Sequence, residues 1–164
     1  MSPGPGVRLY LLRHADAGDP DAWSGPDADR PLSEKGVAQA ERLGRHLARA
    51  DVALRQFVSS PKLRARQTAE IVAQFVGGSV ALDERLANSL TLRVVDELVR
   101  DAEARGGLVL IGHDPDFSEA LTALVGGAPI GMKKGAIARV DVRSFGPGGG
   151  DLRWLLPPAL VPGT

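Results

Sequence analysis

The chain has 164 residues, 43% of them apolar, and its Lys and Arg together equal its Asp and Glu at 20 each. This length and apolar content predict one folded domain over residues 1–164 and argue against disorder. The formal net charge of zero argues against a general nucleic-acid binder. The chain has no Cys, which excludes disulfides, Cys-ligated zinc and a thiol nucleophile.

The first residues, "MSPGPGVRLYLL", carry no basic segment before their apolar run, which is too short for a secretory signal. No apolar stretch approaches the length that spans a bilayer. We therefore expect a cytoplasmic protein with neither a membrane nor a nucleic acid as its partner.

Apolar runs predict the strands of the fold. Four short runs read as strands, at residues 7–12, 56–60, 79–82 and 108–111, and the first of them is expected to be buried. Near the carboxyl terminus, "AIARVDVRSF" and "DLRWLL" flank the turn sequence "GPGGG". This arrangement predicts a terminal hairpin.

Capping residues predict the helices that alternate with these strands. Ser33 is expected to cap a helix that runs to about Arg49. Ser60, as N-cap, and Pro61, at the first helical position, open a second helix to about residue 76. Two further helices are expected, over about 92–104 and from Asp114-Pro115 to about 125.

Strands that alternate with helices predict an α/β three-layer sandwich. It has a mostly parallel sheet, helices on both faces and a C-terminal antiparallel hairpin. Ligands of such sheets bind beyond the carboxyl ends of the strands. Arg13 and His14 follow the first predicted strand, and Gly112 and His113 follow another. The sequence therefore predicts that these residues share one crevice.

Arg64 lies one turn inside the helix expected to begin at Pro61. Helical side chains lean toward the helix N-terminus, where free N–H groups favour an anion. Arg64 is therefore expected to return to the crevice, where it and Arg13 would clamp a phosphoryl group. One imidazole would attack phosphorus and the other would donate a hydrogen bond to a phosphoryl oxygen.

These residues carry a resemblance to a known family. "RHA" at 13–15, "SPKLRARQTA" at 60–69 and "GHDP" at 112–115 resemble the three signatures of the histidine phosphatase superfamily, which has a phosphoglycerate-mutase-like fold. "RPLSEKGVAQA" at 30–40 is similar to the superfamily's R-x-L-S/T-x-x-G-x-x-Q-A segment. "KKGAIARVDV" at 133–142 resembles the small bacterial phosphohistidine phosphatase branch. The resemblance covers roughly residues 7–143.

The resemblance implies that His14 is the nucleophile that becomes phosphorylated. It also implies that Arg13, Arg64 and His113 complete the phosphate pocket. One departure is Ala15, which stands where the family has Gly, so this position is expected not to need a positive φ. Glu84, in a stretch similar to the L-x-E of mutase-type members, is the first candidate for the general acid, and Asp16 is the rival.

The predicted function is a phosphatase that acts through a phosphohistidine intermediate without metal or cofactor, because the arginines supply the positive charge. The short chain between Arg64 and His113 leaves little for a lid. An open pocket suits phosphohistidine on a partner protein. The alternatives are a small-molecule phosphomonoesterase, acting on a phosphosugar or a nucleotide, and a non-catalytic phosphate-binding protein.

Overall fold

A computed structural model describes residues 6–104 and 106–163. Its six strands form one sheet in the order β3-β2-β4-β1-β5-β6. Strands β1 to β4 are parallel, whereas β5 is antiparallel to β1 and β6 is antiparallel to β5. The strands are β1 (Val7–Arg13), β2 (Gln56–Ser59), β3 (Ser79–Leu82), β4 (Gly107–Gly112), β5 (Ile137–Val142) and β6 (Gly150–Leu156). The predicted parallel sheet and terminal hairpin are confirmed.

Four helices cover the two faces of this sheet. They are α1 (Glu34–Arg49), α2 (Leu63–Val76), α3 (Leu92–Asp101) and α4 (Asp116–Val125). Alternate residues of β1 face opposite sides, as the two-residue period of a strand requires. Tyr10 and Leu12 pack with the inner faces of α1 and α2, whereas Leu9 and Leu11 pack with those of α3 and α4. The molecule therefore has the predicted three layers.

Within the described residues, four single turns of 3-10 helix lie in the connections between these elements. Two of them lie in the long loop between β1 and α1, one follows β3 and one follows β6. They are Pro20–Ala22, Asp27–Asp29, Glu84–Ala87 and Pro158–Leu160. None of the helices in the described part of the chain has the length and apolar character needed to cross a membrane.

The structure confirms one predicted helix start and corrects another. Ser33 caps α1, because its side chain accepts a hydrogen bond from the amide of Gly36. Helix α2 begins at Leu63, not at Pro61, and Ser60 does not cap it. The amide of Ser60 still donates to the carbonyl of Ile111 in β4, so residue 60 continues the path of β2. The turn into the helix therefore comes later.

Two other predicted boundaries shift slightly. Helix α3 ends at Asp101, about three residues before the predicted end. Glu103 has a φ of 48°, which a right-handed helix does not accommodate. Helix α4 begins at Asp116, and the side chain of Asp114 accepts a hydrogen bond from the amide of Ser118 in its first turn.

The carboxyl ends of three neighbouring strands meet at one edge of the sheet. Arg13 in β1 is paired with Gly112 in β4, and Ser59 in β2 is paired with Ile111. The amide of His14 then donates to the carbonyl of Gly112, at 3.0 Å. This register brings the three predicted motifs together at one edge of the sheet.

Candidate active site

Two histidines lie side by side at this edge. His14 follows β1 and His113 follows β4, and their ring centroids are 5.3 Å apart with the ring planes tilted by 51°. His14 is buried, with a relative exposure of 6%. The pairing of β1 with β4 fixes this separation, because both residues come directly after paired strand ends.

One hydrogen bond decides the protonation pattern of His14. Its Nδ1 lies 2.7 Å from the carbonyl oxygen of Ala15. A carbonyl only accepts, so Nδ1 carries the ring proton and Nε2 keeps a lone pair when the ring is neutral. Burial, helped by the charges of Arg64 and Arg13, lowers the pKa of His14 to about 4. His14 is therefore a neutral imidazole at pH 7, with Nε2 available as a nucleophile.

His113 is held by a serine at the end of β2. Its Nε2 lies 2.7 Å from the hydroxyl of Ser60, which also accepts the amide of Lys62. When Ser60 donates its proton to Nε2, the ring proton of His113 sits on Nδ1. Burial, followed by the nearby His14 and Arg64, lowers the pKa of His113 to about 3. His113 thus stays neutral and offers one N–H donor.

Two arginines flank the histidine pair, and both are anchored. Arg13 donates from Nη1 to the carbonyl of Met132 at 2.7 Å and lies 3.5 Å from Asp114 Oδ2. Arg64 is the second residue of α2 and is buried. Within the described residues, the buried side-chain nitrogens without a hydrogen-bond partner are Arg13 Nε, Arg30 Nε, Arg64 Nε and His113 Nδ1. Three of these four donors belong to the predicted phosphate pocket.

A carboxylate from the loop between β1 and α1 lies on Arg64. The Nη1 of Arg64 donates to the carbonyl oxygen of Asp27 at 2.9 Å, and its Nη2 donates to Asp27 Oδ2 at 3.0 Å. Arg30 and Lys62 lie 3.5 and 3.9 Å from the same carboxylate. Partial burial opposes the charge, but Arg64 and these cations hold the pKa of Asp27 below its usual value. Both terminal nitrogens of Arg64 are therefore bonded to Asp27, one of them to its carboxylate.

Comparison of the sequence with known proteins identifies the family of this chain. The family model for the histidine phosphatase superfamily (branch 1) matches residues 9–90. The chain belongs to this superfamily. An uncharacterised protein of Picosynechococcus sp. is 33% identical over 137 residues, which cover 80% of this chain and 82% of that protein.

A second relative is longer than this chain. A probable phosphoglycerate mutase GpmB of Erwinia tasmaniensis is 32% identical over 101 residues. The match covers 58% of this chain and 44% of the mutase, so the chain spans less than half of that relative.

Solved structures of histidine phosphatases confirm the fold. The protein histidine phosphatase SixA, solved with tungstate, superposes with a TM-score of 0.79 and 24% identity over 93% of this chain and 98% of that one. A putative phosphohistidine phosphatase SixA from Agrobacterium tumefaciens gives 0.74 and 27% identity over 92% and 98%.

Three side chains from the predicted motifs hold the backbone that follows β1. Thr68 Oγ1 accepts the amide of Ala15 at 3.1 Å, and Gln39 Oε1 accepts the amide of Asp16 at 3.0 Å. Ser33 donates from Oγ to Asp16 Oδ2 at 2.6 Å. These contacts hold the loop after β1, and with it the carbonyl of Ala15 that orients His14. Ala15 itself has no positive φ, as predicted.

The two candidate general acids lie in different environments. The hydrogen bond from Ser33, with help from the amide of Gly18 and from Lys134, holds the pKa of Asp16 below its usual value. Asp16 is therefore kept ionised, which opposes a role as acid. Glu84 is exposed in the turn that follows β3, and β3 is the strand that pairs with β2. Within the described residues, no hydrogen bond or ion pair joins its carboxylate to the histidine pair or the two arginines. Its role as acid stays a prediction.

Three positioning residues were missed from the sequence: Ser60, Asp114 and Gln39. The sequence predicts only a capping role for Ser60, and it includes Gln39 only as part of the segment at 30–40. Asp114 accepts both the amide and the hydroxyl of Ser118, and its Oδ2 faces Arg13. The Asp-x-x-x-Ser spacing at the start of α4 is a signal that could have found Asp114. Nothing in the sequence pairs Ser60 with His113.

No group of three or more His, Asp or Glu side chains within residues 6–104 and 106–163 is arranged to hold a metal ion. The independence from metal and cofactors remains a prediction for experiment.

Proposed function

We propose that this histidine phosphatase domain hydrolyses phosphorylated substrates through a phosphohistidine on His14, and that its preferred substrate is phosphohistidine on a partner protein. The observation that carries the proposal is the hydrogen bond from His14 Nδ1 to the Ala15 carbonyl. That bond leaves the lone pair on Nε2, in a buried ring beside His113. A neutral, oriented imidazole is what attack on phosphorus requires.

The proposed reaction has two steps. Nε2 of His14 attacks phosphorus and the bond to the leaving group breaks, so the phosphoryl group moves to His14 while the leaving group takes up a proton. Water then attacks the phosphohistidine and releases inorganic phosphate and the free imidazole. Arg13 and Arg64 bind the phosphoryl oxygens, and Nδ1–H of His113 donates to the oxygen that gains charge in the transition state.

The leaving group supports phosphohistidine over a phosphate ester. An ester expels an alkoxide, which needs a proton from an acid, whereas phosphohistidine expels an imidazole that can accept one from water. Asp16 is held ionised, and within the described residues the Glu84 carboxylate makes no hydrogen bond to the histidine pair. The overall likeness to the SixA structures points the same way.

A small-molecule phosphomonoesterase is the second candidate. It is favoured by the similarity to probable phosphoglycerate mutases, which comes with higher identity than the SixA likeness. A phosphosugar or nucleotide phosphatase would use the same four pocket residues. The cytoplasmic location predicted from the sequence likewise stays a prediction.

A substrate panel tests the proposal. The purified protein is assayed with a phosphohistidine peptide, a phosphosugar, a nucleoside monophosphate and p-nitrophenyl phosphate, each with and without EDTA. We expect the highest kcat/KM for the phosphohistidine peptide and no effect of EDTA. A higher value for the phosphosugar or nucleotide would establish the second candidate. Phosphate binding without turnover of any compound would indicate a non-catalytic binding protein.

A further inference from the structure

An open cleft of about 440 Å³ lies next to the phosphate pocket, on the side of Arg13. Four cations line it, and residues 157–159, which follow β6, form an apolar wall. The cations are Arg13, Lys35, Lys133 and Lys134. We call this surface the basic cleft. Asp16 is the carboxylate that lines it, and it lies 3.8 Å from Lys134.

The lysines of this protein are not scattered. The sequence holds four lysines, against sixteen arginines, and three of the four line the basic cleft. The fourth, Lys62, lies 3.9 Å from Asp27 beside Arg64. Within the described residues, neither Lys35 nor Lys133 lies within 4.0 Å of a carboxylate. A chain of zero formal net charge therefore gathers all of its lysines at the edge where the substrate would bind.

The turn that carries two of these lysines is fixed to the catalytic strand. The amide of Gly135 donates to the carbonyl oxygens of both Arg13 and His14, at 3.1 and 2.9 Å. Gly135 has a φ of 80°, and a Cβ there would lie 3.0 Å from Pro158 and 3.4 Å from Gln39. The turn therefore needs glycine, and it presents Lys133 and Lys134 at a set position relative to His14.

The position of Lys35 carries an electrostatic cost. Lys35 is the second residue of α1, and the N-terminus of a helix disfavours a positive charge. It also shares the cleft with three other cations. The Asp16 carboxylate offsets part of the repulsion among these charges, since it attracts Lys134 and Lys35, and an anion that enters the cleft would offset more of it.

We propose that the basic cleft binds a second anionic group of the substrate, distinct from the phosphoryl group that His14 attacks. This inference rests on the proposed function, because it places the reacting phosphoryl group on Arg13 and Arg64. The ligand chemistry is a carboxylate or a second phosphate, which compact ammonium groups attract without demanding a fixed geometry. Its source is either an acidic side chain near the phosphohistidine of a partner protein or a second acidic group on a small molecule.

Two matched substrate pairs test the basic cleft and distinguish the sources. The first pair is a phosphohistidine peptide with Asp and Glu beside the phosphohistidine, and the same peptide with Asn and Gln there. The second pair is 3-phosphoglycerate and glycerol 3-phosphate. For one pair, we expect the acidic member to have a kcat/KM about tenfold higher at low salt, mostly through KM, with the advantage reduced by added salt. The pair that shows this ratio identifies the source.

Lysine variants then assign the ratio to the cleft. In a Lys35→Gln, Lys133→Gln double variant, we expect the ratio to fall to about one. The control is Arg93→Gln on α3, whose side chain is 88% exposed and pairs with Glu97. It should keep the ratio of the parent. Equal thermal unfolding midpoints establish that all three proteins are folded.

Two outcomes would overturn the inference: a ratio near one for both pairs in the parent, or an unchanged ratio in the double variant. Absence of turnover with all four compounds would instead contradict the proposed function. In that case, calorimetry measures the Kd of the same matched compounds for the parent and the double variant. Tighter binding of the acidic member by the parent, lost in the double variant, would support the basic cleft, and equal binding of both members would overturn it.

Discussion

The rings of His14 and His113 lie 5.3 Å apart at the ends of adjacent parallel strands, where His14 is buried and His113 is half-buried. The fold holds both imidazoles neutral, because burial lowers the pKa of His14 to about 4 and that of His113 to about 3. In the unfolded chain each has a pKa near the ordinary value of 6.5. The pair therefore links folding to pH.

The linkage predicts a loss of stability in acid. Between pH 6.5 and pH 4 the unfolded chain binds protons on these histidines and the folded chain does not, so the free energy of unfolding falls as the pH falls. For His14 alone this loss is on the order of 3 kcal/mol at pH 4. Denaturant unfolding across this range should show a smaller loss in a His14→Gln, His113→Gln variant.

Packing and titration are separated by a reference at pH 8, where the histidines are neutral in both states. A difference between parent and variant at pH 8 measures packing alone. Parallel pH profiles for the two proteins would show that the histidine pair does not contribute to the acid loss.

The contact between Asp27 and Arg64 predicts that the Asp27 carboxylate competes with a phosphoryl group for Arg64. Its carboxylate lies 3.0 Å from Nη2, where a phosphoryl oxygen would bind. Asp27→Asn removes that charge, so vanadate and substrate should bind about two- to fivefold more tightly, as expected for the loss of one ion pair at a partly exposed site. Inhibition constants for vanadate measure this. The control is Asp21→Asn in the same loop, which should match the parent. Weaker vanadate binding in Asp27→Asn would show that Asp27 orients Arg64 and does not compete.

The choice of general acid predicts different effects on two substrates. Glu84→Gln should slow hydrolysis of an alkyl phosphate by about tenfold or more and slow phosphohistidine hydrolysis only slightly, because imidazole leaves without a strong acid. The measurement is kcat/KM for both substrates in the parent, Glu84→Gln and Asp16→Asn. Loss of alkyl phosphate turnover in Asp16→Asn alone would make Asp16 the acid. An equal fall with both substrates would contradict the argument from leaving groups.

Gly36 predicts a steric effect on stability. A Cβ at this position would lie 1.9 Å from the carbonyl oxygen of Asp16. Gly36→Ala should therefore push α1 away from the loop after β1 and destabilise the fold by about 2 kcal/mol, despite the better helix propensity of Ala. Gly127→Ala is the control, because nothing lies within 4 Å of its Cβ position and it should change stability by less than about 0.5 kcal/mol. Urea unfolding of both variants measures the difference, and an equal effect would show that the close contact relaxes freely.

The sequence predicts the strands and their edge because parallel strands and capping residues leave local signals. Ser33 is an example, since its capping hydrogen bond to Gly36 joins residues three apart. The predicted start of α2 was wrong because the amide of Ser60 donates to the carbonyl of Ile111, a residue distant in the chain. Capping rules consider only residues close in sequence, so they do not include such a partner.

The same distinction explains the site. Arg13, His14, Arg64 and His113 stand at strand ends or helix starts, where local patterns locate them. The pairing of Arg64 with Asp27 and of His113 with Ser60 depends on how loops from different strands meet. Burial, which only the packed fold produces, is the largest cause of the neutrality of His14, and the charges of Arg64 and Arg13 add to it.

The covalent intermediate on His14 is the central claim, and trapping it is the most direct test. The parent and His14→Asn are mixed with phosphoramidate, quenched with base after a few milliseconds to seconds, and digested for mass spectrometry. We expect one acid-labile phosphoryl group on the peptide that contains His14, and none in His14→Asn. Steady phosphate release without that phosphoryl group, or with unchanged release in His14→Asn, would contradict it.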